Sequence, residues 1–246
     1  MTKPEVLKLV KQAFEIYDQT YNKRNFLVLY KASDNSIDFK AMVFNAKQFL
    51  HLTGLIYKDP NNRTYFTDDN ISFYYIENNK KIAENRPLKD FRRGNLQNKI
   101  QTYYIQGNAQ SFYKECSRGT LSPRRIDLKD NGTTRQKLEV FIQLRYLMTS
   151  PNLLGYFNEN GYELRADYFI GNSRKTVAIG FKNELSYDIP KTLLSKDLKL
   201  ITGDPYPVIS IYSKKISDTS YSLMYQSKSI PLDLTKLPPK ISSMIH

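Results

Sequence analysis

FLVLYKASDNSIDFKAMVFNAKQFLHLTG, residues 26–54, is the stretch on which the fold turns. Phe26 to Ala32 and Ser36 to Phe44 are rich in aromatic and β-branched residues, and Ser33, Asp34 and Asn35 between them are turn formers, so the spacing predicts a β-hairpin. Asn45 then stands where a helix N-cap belongs, and Gly54 supplies the left-handed residue that ends a short helix over AKQFLHLT. Hairpin followed at once by helix points to an α+β chain rather than to alternating βαβ units.

Upstream, Thr2 and Glu5 have capping-box spacing and Pro4 suits a first turn. Val6, Leu9, Val10, Ala13, Phe14, Tyr17 and Tyr21 recur at three and four, so the chain opens with an amphipathic helix. Downstream, 58–106 is polar and basic, an insertion in texture. Helices are expected over Asn108 to Ser117 and over Thr134 to Met148, the second closing before Pro151. Strand-like runs follow at Leu153 to Phe157, Tyr162 to Ile170, Thr176 to Phe181, Val208 to Ser213 and Tyr221 to Gln226. Turns are read at Gly171-Asn172 and elsewhere, and one more helix is expected from Thr192 to Ile201. The expected architecture is α+β: an N-terminal helix followed by a largely antiparallel β-sheet flanked by helices. One domain over 1–229 carries the basic insertion, and 230–246, with Pro231, Pro238 and Pro239, reads as a loosely packed extension.

The 246 residues carry a net charge of +13, which suits an acidic partner, and 19 Tyr with 13 Phe supply a large core. One cysteine, Cys116, and two histidines argue against a disulfide framework and a Cys/His zinc site. Lys3, Lys8 and Lys11 interrupt the apolar run a signal peptide needs, and no stretch has the length of a membrane span, so a cytoplasmic protein is expected. Neither a phosphate-binding glycine loop nor a nucleotide-binding glycine motif is present. With Asp68-Asp69 the sole isolated acidic pair, neither a metal nor a cofactor is expected.

Chemistry therefore falls to few groups. His51 is the only internal imidazole, and its place near a helix C-terminus favours the protonated form; it reads either as a proton-transfer group or as a packing residue. DNGTTRQKL, 130–138, offers Thr133, Thr134, Arg135 and Lys137 at a helix start, which suits an anion or a simple N-cap. If 192–201 is helical, Thr192, Lys196 and Lys199 share one face that could hold a phosphate. Arg86, Lys89, Arg92 and Arg93, among tyrosines such as Tyr74, Tyr75, Tyr103, Tyr104 and Tyr113, suit single-stranded nucleic acid.

In order along the chain, FNAKQFLHLTGL, SFYKECSRGTL, DNGTTRQKLEVF, LLGYFNENGYEL, FIGNSRKTVAIGF and IPKTLLSKDL resemble the motifs of phage-associated barnase-EndoU-colicin-RelE-like nuclease domains, across about Tyr21 to Lys215. The resemblance implies a helix followed by an antiparallel sheet, and metal-independent cleavage of RNA in a mobile-element protein acting in the cytoplasm of a bacterial host. It implies His51 as the proton-transfer residue with Thr53 beside it, Thr192 and Lys196 at the phosphate, and Lys182 as a weaker addition. A two-histidine pair is impossible, because His246 ends the tail, so a lysine or the substrate must serve as second partner. The competing expectation is a non-catalytic protein that grips nucleic acid or a host nucleoprotein complex as an inhibitor. A cognate neutralising protein is a further expected partner.

Overall fold

The computed structural model describes residues 1–57, 70–77, 80–87, 103–105, 109–129, 132–157, 166–172, 177–233, 235, 237 and 239–245, with the strands between 70 and 105 given by backbone alone. Helix α1 (Lys3–Thr20) starts at the expected capping box: the Glu5 N–H donates to Thr2 Oγ1 at 3.4 Å, and the Thr2 N–H to Glu5 Oε2 at 2.6 Å. The hairpin is formed by β1 (Arg24–Lys31) and β2 (Ile37–Phe44), in register from Arg24 opposite Phe44 to Lys31 opposite Ile37. Helix α2 (Ala46–Thr53) follows, capped by Asn45, whose side chain accepts from the Lys47 N–H at 3.0 Å.

A two-residue β3 (Ile56–Tyr57) comes next, and then β4 (Asn70–Glu77), β5 (Lys80–Pro87) and β6 (Tyr103–Ile105), which form a small sheet of their own in the order β5-β4-β6. Helix α3 (Ala109–Arg118) follows, and β7 (Ile126–Asp127) pairs with β3. The helix expected over Thr134 to Met148 is two: α4 (Thr133–Phe141) and α5 (Leu144–Leu147), with a turn at 142–143. The remaining strands are β8 (Leu153–Tyr156), β9 (Tyr168–Asn172), β10 (Val177–Lys182), β11 (Ile189–Leu194), β12 (Tyr206–Lys215) and β13 (Ser222–Gln226). Gly171 and Asn172 belong to β9 rather than to a turn, since Gly171 pairs with Leu153 on one side and Ala178 on the other.

The main sheet runs β11-β10-β9-β8-β12-β1-β2, with β13 added to β12, and its ladders are antiparallel. It curls until its two edges meet. Just before β11, the Asp188 N–H donates to the Ala41 carbonyl of β2 at 2.8 Å, and the Asp188 carbonyl accepts from the Val43 N–H at 3.0 Å. Inside the curl lies the principal core. Val6, Val10, Ala13 and Tyr17 of α1 and Phe49 and Leu52 of α2 meet Phe26, Val28 and Phe44 of the hairpin and Ile170, Ile179 and Phe181 of the far strands. Tyr17 closes α1 onto α2 by donating its hydroxyl to the Asn45 carbonyl at 2.7 Å.

Strand β1 is buried on both faces because the tail covers the outer one. Leu27 and Leu29 pack with Tyr212, Leu237 and Ile241, the last in α6 (Pro239–Ile245). The expectation of a loosely packed extension is corrected here: Ile241 is fully buried, and apolar burial holds a segment that its prolines marked as loose.

The helix expected over Thr192 to Ile201 is also corrected. Residues 189–194 form an edge strand on β10, and only Leu198–Leu200 make a short 3₁₀ turn, capped by the Asp197 side chain accepting from the Lys199 N–H at 3.1 Å. The helix-like spacing instead buries Leu198 and Ile201, with Phe169 and Ala178 and with Leu194 packed against them, in a third cluster on the outer face of the sheet. Tertiary pairing overrides a local period in this segment.

Candidate active site

Three elements converge where α2 ends. Gly54 takes the left-handed conformation at φ 68°, and its N–H donates to the carbonyls of Leu50 and His51, each at 3.2 Å. Thr134, in the first turn of α4, donates its hydroxyl to the Gly54 carbonyl at 2.7 Å and accepts from the Lys129 N–H at 3.1 Å. That hydroxyl is a staple between helices, not the free anion donor expected of it. One face of α4 then carries the Lys137 stem across Gly54, so closely that a Cβ on Gly54 would lie 2.8 Å from Lys137 Cδ. The glycine is required twice over, for its backbone angle and for the passage of this lysine.

Lys137 ends on β11, where its Nζ donates to Thr192 Oγ1 at 3.2 Å. The strand has a bulge at this point: Gly180 pairs with Thr192 and Phe181 with Pro190, leaving Lys191 as the extra residue. Pro190 and Leu193 on either side are buried. The bulge therefore turns Lys191 and Thr192 away from the core together, a re-aiming that regular alternation would not permit.

His51 sits on the exposed side of α2 in its last turn, while Phe49, Leu50 and Leu52 are buried. Partial desolvation and the positive charges of Lys191, Lys137 and Lys129, in that order, hold its pKa below the usual histidine value. The expectation that the helix dipole would favour the protonated imidazole is corrected: desolvation, with three nearby ammonium groups, outweighs a partial charge of about half a unit. Lys137 is pushed down to about 8, by desolvation first and by Lys129 second, and Lys129 is lowered by desolvation. The product is a neutral imidazole beside an ammonium poised to lose its proton, within a field of positive charge.

Of the residues expected from sequence, His51, Lys137 and Thr192 come together. Thr53 does not join them, being fully buried with its hydroxyl donated to the Leu50 carbonyl at 2.8 Å. Lys196 lies in the bend beyond β11, so the helical face it was to share with Thr192 does not form. Lys182 pairs with Asp167 at 3.7 Å, and Arg135 leans along α4 to Glu139 at 2.8 Å, two positions from Lys137 and so on a different face. Arg86 stands on β5 opposite Ile71, while Lys89, Arg92 and Arg93 lie outside the described residues.

Two members were missed from sequence. Lys191 reaches the site through a bulge that no pattern announces, and Lys129 through a loop whose approach is set by Thr134. Among the described residues, no group of three or more His, Cys, Asp or Glu could hold a metal ion, and no helix is long and apolar enough to cross a membrane.

Residues 94–229 match the family model described as phage-Barnase-EndoU-ColicinE5/D-RelE like nuclease4. The match includes Lys129, Lys137, Lys191 and Thr192, whereas His51 precedes it. Neither the curated proteins nor the solved structures contain a match to the chain.

Proposed function

Because the chain belongs to the phage-Barnase-EndoU-ColicinE5/D-RelE like nuclease4 family, we propose that it cleaves RNA without a metal ion, by attack of a ribose 2′-hydroxyl on the adjacent phosphate. The observation that carries this reading is the convergence of His51 with Lys129, Lys137, Lys191 and Thr192 at the junction of α2, α4 and β11. Such a reaction needs a proton acceptor, a proton donor and positive charge at the phosphorane.

The neutral His51 imidazole takes the 2′-hydroxyl proton as that oxygen bonds to phosphorus. Lys129 and Lys191 stabilise the added charge on the phosphoryl oxygens. The Lys137 ammonium, oriented by Thr192 Oγ1, gives its proton to the departing 5′-oxygen as the bond from phosphorus to that oxygen breaks. The products are a 2′,3′-cyclic phosphate and a 5′-hydroxyl; His51 ends protonated and Lys137 neutral, and solvent exchange resets both. This chemistry fits the expectation that a lysine serves as second partner. It goes with RNA as substrate in the cytoplasm of a bacterial host, and a cognate neutralising protein would have this cationic surface to cover.

One observation favours a second reading, a non-catalytic nucleic-acid binder: His51 lies outside residues 94–229, and the lysines inside that range would grip a phosphate without it. Paired substrates separate the two. RNA should be cut, while the same sequence with 2′-O-methyl on every ribose should be bound and left intact. Equal cleavage of both would overturn the 2′-hydroxyl mechanism, and tight binding of RNA with no cutting would favour the binder.

A further inference from the structure

A second cluster lies at the open end of the curled sheet, away from the His51 junction. On β8, Leu154 is in the principal core, and strand alternation puts Tyr156 on the same inner face. Tyr156 is nonetheless 42% exposed, so the helices that fill the curl leave this end of it open. Around it stand the rings of Tyr206, with centroids 6.2 Å apart and near perpendicular, and Tyr168, at 6.4 Å. Tyr30 lies at 5.7 Å from Tyr206 and shares a hydroxyl contact of 3.0 Å with Tyr156.

Charge is placed in the same mouth. Lys40 Nζ stands 5.3 Å from the Tyr156 ring centroid and 4.8 Å from that of Tyr168. The exposed Asp38 accepts the Tyr30 hydroxyl at 2.7 Å. A network that served only to close the sheet would bury its rings. Here the outermost ring is left partly facing solvent, with the Lys40 ammonium over it, donating also to Asn183 Oδ1 at 3.4 Å, and hydroxyls fixing its angle. An aromatic face beside an ammonium is the pairing that holds a base by stacking and its phosphate by charge.

We propose that this mouth, built on Tyr156 with Tyr30, Tyr206, Lys40 and Asp38, is a stacking subsite for a base of single-stranded nucleic acid that flanks the bond to be cut. The inference rests on the nuclease reading for its choice of ligand. One bonded contact leads from the mouth toward that site: Tyr168 donates its hydroxyl to Asp188 at 2.8 Å, and Asp188 is three residues before Lys191, an extended reach of at most about 10 Å.

The chain contains no tryptophan, so Tyr156→Trp makes a single fluorescent reporter at the subsite. Tyr146→Trp is the control, on an equally exposed tyrosine at 44%. Titrated with a 2′-O-methyl oligonucleotide, which cannot be cut through its 2′ position, the reporter at 156 should quench saturably and the one at 146 should not. Tyr156→Ala should weaken binding of the same oligonucleotide roughly fivefold or more, the range of one lost base stack. Tyr156→Phe, which keeps the ring and loses the hydroxyl contact, should bind like the wild type. Absence of quenching at 156, or undiminished binding by a folded Tyr156→Ala, would overturn the subsite. Because binding is read on an uncut ligand, a protein that binds there and never cleaves RNA would sink the catalytic reading and leave the subsite standing.

Discussion

Around Glu115, opposite charges and hydrogen-bonding groups meet: its carboxylate accepts the Tyr57 hydroxyl at 2.6 Å and pairs with Arg125. Around His51, the charges of the described residues that reach the imidazole are those of three lysines. Both clusters border the same helices, for α2 packs against α3, which carries Glu115, and against α4, which carries Lys137. In the first, each polar group offsets the desolvation of another, and the result ties α3 to the segment leading into β7. In the second, like charges are crowded and partly desolvated, which lowers the basicity of His51 and Lys137 alike. A cluster of that kind suits an anion from outside, which is how a candidate site differs from a structural network.

The largest expected effect comes from removing the imidazole. His51→Ala should lower RNA cleavage by roughly 10²-fold or more, since general acid-base catalysis is typically worth 10²- to 10⁴-fold. Its melting temperature should stay close to that of the wild type, because the side chain is exposed. Normal cleavage by this variant would erase the distinction between the two clusters. Lys137→Met, which keeps the stem and removes the charge, should cost roughly 10²-fold in kcat and change the pH profile.

That profile has a defined shape. A base must be unprotonated, so the wild-type kcat/KM rises as pH climbs through the lowered His51 value, below the usual 6.5. An acid must be protonated, so it falls again as pH passes about 8, where Lys137 loses its proton. Rate measurements from well below the usual histidine range to well above 8 should give a bell for the wild type and no descending limb of that origin for Lys137→Met.

Gly54→Ala should act more gently. The left-handed angle costs about 1 kcal/mol in an alanine, and the new Cβ displaces Lys137, so a small fall in melting temperature should accompany a several-fold loss of cleavage. Glu115→Ala should do the reverse. Leaving Arg125 and the Tyr57 hydroxyl without their acceptor should cost about 1–3 kcal/mol of stability, read by denaturant unfolding, while cleavage per folded molecule stays nearly unchanged.

Local signals were legible where the chain settles matters locally. The Thr2–Glu5 box, the Asn45 cap and Gly54 each act within four residues, and each stands where the spacing puts it. The hairpin followed from its turn and its apolar runs. Segment 189–201 misled because its leucines fit a helix about as well as they fit an edge strand followed by a tight turn, and only pairing with β10 decides between them. The site divides in the same way. His51 and Lys137 stand out by residue type and motif, whereas Thr192, expected on a helical face, reaches the site from a strand. Lys191 and Lys129 were hidden because a bulge and a loop crossing are properties of the assembled fold.

At the heart of the proposed function, a neutral histidine among lysines promotes RNA cleavage by the ribose's own 2′-hydroxyl. The most direct measurement is end-group identification on RNA incubated with the purified protein in excess EDTA, with His51→Ala alongside. The wild type should give 2′,3′-cyclic phosphate and 5′-hydroxyl ends, undiminished by the chelator, and the variant very few. Ends bearing a 5′-phosphate, or cleavage that EDTA abolishes, would contradict it.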